Sequence, residues 1–102
     1  LTSPHRHLNH LRLSAAIAAL QPLRETPAGL SALDLQLQHS SQQTCQGGVR
    51  SVKLLLKAVA FGTLAQRLAR QELDSQWLFQ GFLSAARNGR GLVFTIEDMQ
   101  PL

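Results

Sequence analysis

Six carboxylates are available for acid–base chemistry: Glu25, Asp34, Glu72, Asp74, Glu97 and Asp98. They are scattered, and the adjacent Glu97 and Asp98 would point to opposite faces of a strand. The chain has no nucleophile elbow, phosphate-cradling glycine loop or metal-ligand cluster. Cys45 has no second cysteine to pair with and lies in a polar stretch, where a free, exposed thiol is expected. Such a thiol fits a reducing, cytoplasmic setting. His5, His7 and His10 fall in a polar N-terminal segment and are expected to be solvated. The chain therefore reads as a non-enzyme with no cofactor and no metal.

The basic residues carry more information. Ten Lys/Arg stand against six Asp/Glu, for a net charge of +4 and a pI near 10.7. That balance favours anionic partners, nucleic acid among them. Lys53 and Lys57, four residues apart, share one side of a strand, with Leu55 between them. Aromatic platforms for unpaired bases are sparse, with no Tyr, one Trp and four Phe. Trp77 and Phe79 have the parity of Leu83 and are expected in the core, and Phe61 and Phe94 in the core or against a helix. Phe82 has the opposite parity and points outward unless Gly81 creates a bulge. There it either stacks a base or is covered at a subunit interface.

These residues need a scaffold, and hydrophobic period supplies one. Leu11, Leu13, Ala15 and Ile17 alternate with Arg12, Ser14, Ala16 and Ala18, giving a first strand. Leu33, Leu35, Leu37 and His39 repeat the pattern as a second, with His39 on the inward side as a hydrogen-bonded structural histidine. Pro27 and Gly29 suit the second and fourth positions of a type I turn between the two. Ser41–Gly48 is polar and is expected to be a flexible loop. A third strand runs from Val52 to Val59, apolar on one side and mixed basic and apolar on the other.

The period then becomes helical. Thr63-Leu64-Ala65-Gln66 has capping-box form, and the helix is expected to end near Leu73–Ser75. Strands over Trp77–Ala86 and Leu92–Met99 follow, joined through Asn88-Gly89, a hairpin signal because both residues tolerate positive φ.

Three strands, a helix and two strands form the element order of the OB-fold, an all-β five-stranded Greek-key barrel with one short helix between strands three and four. With 102 residues and 44% hydrophobic content, one core is expected. Residues 1–8 are expected to be a mobile tail or remnant and 9–102 the domain. The first ten residues lack a signal peptide's apolar region, and no stretch approaches the ~18–20 apolar residues of a membrane span. An OB-fold's ligand face lies on strands two and three and the loops joining strands 1–2 and 4–5. Arg24 falls in the first loop, Arg87 and Arg90 in the second, and Lys53 and Lys57 on strand three. With Phe82, these are the candidate DNA-binding residues, opposed on that face by Glu25 and Asp34.

Three segments resemble the bacterial primosomal replication protein N family: Asn9-His10-Leu11-Arg12-Leu13-Ser14, Pro22-Leu23-Arg24-Glu25-Thr26-Pro27-Ala28-Gly29-Leu30, and Leu37-Gln38-His39-Ser40. Gly81-Phe82-Leu83 and the basic hairpin after it match too, so the similarity runs from Asn9 to Leu102. Gly62–Phe82 also resembles ordinary single-stranded DNA-binding proteins. The resemblance implies an OB-fold homodimer, paired through the first strand and neighbouring surface, that binds single-stranded DNA. It also implies contacts with a restart helicase and a helicase-loader partner. Carried over by position, Arg24 matches a DNA-contacting basic residue, and Arg87 and Arg90 fall in the basic hairpin. This sequence departs from the family pattern at Ser40, basic in some relatives, and at Lys53, where some place a stacking aromatic. Its hairpin is also shorter and less Lys-rich.

Overall fold

A computed structural model describes residues 7–102. Most of the expected tail, residues 1–6 including His5, lies outside the described residues; Leu8 is almost fully exposed. The strands are β1 (Leu11–Leu20), β2 (Arg24–Glu25), β3 (Ser31–Cys45), β4 (Gly48–Phe61), β5 (Gln76–Ala85) and β6 (Leu92–Pro101). Helix α1 (Gly62–Ala69) lies between β4 and β5. The sheet order is β1-β5-β6-β4-β3-β2, and a further β1–β3 pairing closes it into a barrel of five long strands with β2 as a short addition. This is the expected OB-fold architecture. All pairings are antiparallel except β4–β6, which the crossover through α1 and β5 makes parallel.

Closure depends on β1 changing neighbours. Leu11–Ala16 pair with β5, and Ala16–Leu20 pair with β3, with a register irregularity between Ile17 and Ala19. The turn after the helix serves the backbone at that point. Ile17 N–H donates to Ser75 O at 3.0 Å, and Asp74 N–H donates to Ile17 O at 2.8 Å. Asp74 adopts φ +67 to do so, a left-handed conformation that Asp tolerates better than most residues.

Alternation places the core as the sequence predicts. Ile17, Leu33, Leu37, Phe79 and Phe94 are fully buried, and Leu68 of α1 joins the same cluster. His39 is buried at the end of that row, with Nδ1 2.6 Å from Ser14 O and Nε2 2.7 Å from Ser41 Oγ, tying β3 to β1. Trp77 is half-buried against the core, and its Nε1 donates to Ser75 Oγ at 3.0 Å.

Four expectations need correction. Ser41–Gly48 is no loop: Ser41↔Val52 through Cys45↔Gly48 pair without a break, and only Gln46-Gly47 turns, with Gly47 at φ +97. Its residues are polar because neither face of this arm is covered, so polarity here does not signal irregular backbone. Helix α1 starts a residue before Thr63 with no side-chain cap and ends at Ala69, before Leu73. Gln66 donates to Ser31 Oγ at 3.0 Å instead of reaching back to complete a capping box.

The Asn88-Gly89 hairpin exists, but its turn is Ala86–Gly89, closed by Gly89 N–H to Ala86 O at 2.8 Å. Positive φ falls on Gly89 and Gly91 and not on Asn88. Finally, β6 bulges where Gln80 faces Asp98 and Gly81 faces Ile96. The extra residue puts both Ile96 and Met99 inside, so Glu97 and Asp98 both lie outside the core and do not split across the sheet. Only glycine fits at position 81, since a Cβ there would lie 1.8 Å from Thr95 O.

Candidate nucleic-acid interface

The β3–β4 register builds the outer platform. Asp34, Gln36, Gln38 and Ser40 stand opposite Val59, Lys57, Leu55 and Lys53. Lys57 and Lys53 therefore share one face, about 13 Å apart along the strand at ~3.3 Å per residue. Parallel pairing of Val59 with Thr95 extends the platform onto β6. The hairpin turn at Thr26–Gly29, closed by Gly29 N–H to Thr26 O at 2.8 Å, folds Arg24 back along β3. This is the turn that Pro27 and Gly29 predict.

A cleft of about 550 Å³ opens between that turn and the β5–β6 hairpin. Arg24, Thr26 and Pro27 form one wall and Ala86, Arg87 and Asn88 the other, with Val59, Val93 and Thr95 between. Through Asp34 and Val93 it adjoins a depression of about 270 Å³ bordered by Lys57. Through Phe61 and Thr95 it adjoins a third of about 560 Å³, lined by Phe82, Thr63, Leu64 and Glu97. Together they make a continuous path across one face of the barrel, with apolar stretches between cations.

Electrostatics within the path are uneven. Arg24 clamps Asp34, with Nε 2.7 Å from Oδ2 and Nη2 3.1 Å from Oδ1. The Arg24 hydrogen bonds and the charges of Arg24 and Arg87 hold the Asp34 carboxyl below its ordinary value, against an opposing push from burial. The same contact raises the Arg24 guanidinium further. This is the one salt bridge among the described residues.

Of the candidate residues, Arg24, Lys57 and Arg87 meet along the connected clefts, and Phe82 lines the adjoining one. Lys53 lies on the same face, opposite Ser40 and next to the base of the arm. Arg90 is exposed on the hairpin away from the clefts, its backbone N–H donating to Asn88 Oδ1 at 2.9 Å. Phe61, expected in the core or against the helix, is instead 40% exposed at the junction of two clefts. Its signal was present, because it shares the outward parity of Lys57 and Val59.

A five-stranded barrel of this order, closed by the β1–β3 pairing, defines a class of protein. The model for a family described as "Another single-strand binding protein family" matches residues 9–98, so the chain is a protein of the single-strand binding class. The Replication restart protein PriB of Bordetella pertussis is 45% identical over 80 residues, 78% of this chain and 75% of that protein. A PriB structure from Ralstonia solanacearum superposes with a TM-score of 0.85 at 29% identity, covering 93% of this chain and 98% of that one. The single-stranded DNA binding protein of Thermus aquaticus gives a TM-score of 0.75 at 25% identity over 96% of this chain and 52% of that one. The chain belongs to the PriB family of replication restart proteins.

Proposed function

We propose that residues 9–102 form a non-enzymatic, single-stranded DNA-binding accessory subunit of the replication-restart primosome. The strand follows the run of clefts. Arg24, Lys57 and Arg87 contact phosphates there, Lys53 and Arg90 extend the positive field to either side, and Phe61 and Phe82 offer ring faces to bases. What carries this reading is the continuity of the path, since shared lining residues join the three depressions. Cations along a path bind phosphate largely by releasing counterions, so affinity falls with salt. The relatives' family role suggests a homodimer that works in the cytoplasm with a restart helicase and a helicase-loader partner.

The test is an anisotropy titration of labelled oligonucleotide over a salt series. The chain should prefer single to double strands, and Lys57→Ala should lower the log–log salt slope by about 0.7, one phosphate's worth on a single strand. Absence of binding at low salt would defeat the reading.

A second reading is favoured by the neutralisation of Arg24 by Asp34. In it the barrel docks on the helicase and DNA binding is slight. Reversing Arg24, Arg87 and Arg90 to Glu then leaves helicase binding intact, whereas loss of that binding without DNA excludes a docking surface elsewhere.

A further inference from the structure

We infer that Asp34 is a built-in competitor for the DNA backbone: its carboxylate occupies Arg24 in place of a phosphate and so sets how tightly single strands are held. This deepens the DNA-binding reading above and depends on it. A bidentate carboxylate on a guanidinium has the geometry that a phosphate takes on arginine, and Asp34 contacts both Nε and Nη2 of Arg24. Both side chains are accessible, at 40% and 47% exposure, so an incoming strand can reach the pair. Exposed ion pairs are weak and exchange readily.

Position supports the same conclusion. Asp34 borders both the main cleft and the Lys57 depression, and it is the one carboxylate lining either of them among the described residues. The later outward positions of β3, Gln36, Gln38 and Ser40, are uncharged. Arg87 lines the same cleft as this carboxylate, and its charge adds a minor part to the lowering of the Asp34 pKa. A merely structural staple is poorly motivated. The turn is already fastened by Arg24↔Ala32 pairing, by Thr26 N–H to Leu30 O at 2.8 Å, and by Leu30 N–H to Thr26 Oγ1 at 3.1 Å.

The experiment compares the wild-type chain with Asp34→Asn and Asp34→Ser, using a labelled oligothymidylate over a salt series, with thermal melts to confirm folding. Both variants should bind tighter, by roughly fivefold for a released exposed pair. Their salt slope should steepen by about 0.7. Arg24→Ala should cost more affinity in the Asp34→Asn background than in the wild type, the non-additivity expected of contacting residues. If the wild type binds but neither variant binds tighter, or if Arg24→Ala costs the same in both backgrounds, the inference is overturned and the DNA reading stands. If no form binds at low salt, both fall.

Discussion

At one end of the β3–β4 ribbon Leu33, Leu35 and Leu37 bury inside the barrel, while at the other Gln42–Arg50 pair as regularly and bury nothing. Backbone hydrogen bonding is alike in the two regions, so the contrast isolates what side-chain burial adds. A two-stranded ribbon without a covered face is marginal in water. The barrel end adds side-chain burial to its backbone pairing, and the arm rests on backbone pairing alone.

The largest expected effect sharpens this contrast. Leu37→Ala should cost about 2–5 kcal/mol of unfolding free energy by urea titration. Val49→Ala on the arm, 65% exposed, should stay within about 0.5 kcal/mol. Equal losses would mean that the arm is packed against something in solution. Next comes a residue at the boundary of the two regimes. Phe61→Ala should weaken oligonucleotide binding by about 1–3 kcal/mol, the range for one stacked base, with a smaller effect on stability because the ring is 40% exposed. A loss confined to stability would return Phe61 to a packing role.

The smallest effect is electrostatic. Asp34 has a depressed folded pKa, so its stabilising contribution is complete above the ordinary carboxylate value of 3.8 and is lost as pH falls through the folded value. The pair is nearly half exposed, so solvent screening keeps this contribution small. The stability gap between wild type and Asp34→Asn should therefore be flat at neutral pH and close only in acid. A gap that changes near neutrality would implicate another group.

Much of the barrel was legible because Leu33–His39 alternates without exception, and one buried face fixes a strand's parity. The arm was not. Ser41, Gln42, Gln43 and Thr44 have no apolar member to report a period, yet pairing started in the barrel carries on through them. Capping-box spacing misled at Thr63 because Gln66 finds a tertiary partner in Ser31, which no local pattern can reveal. In the candidate site the cations were legible by type, and Arg24, Lys57 and Arg87 follow from strand order once the barrel is assumed. The Arg24–Asp34 clamp was not, since it joins residues ten positions apart across a turn. Phe61 is readable by parity, since it shares the outward side of Lys57 and Val59, although an aromatic side chain by itself favours burial.

One consequence of the shared first strand concerns how the molecule comes apart. Because β1 is stitched to β5 by its first half and to β3 by its second, neither seam can unzip alone without pulling on the other. The amide of Ile17, which donates to Ser75 O, and that of Asp74, which donates to Ile17 O, sit at this crossover and should be among the slowest to exchange with solvent.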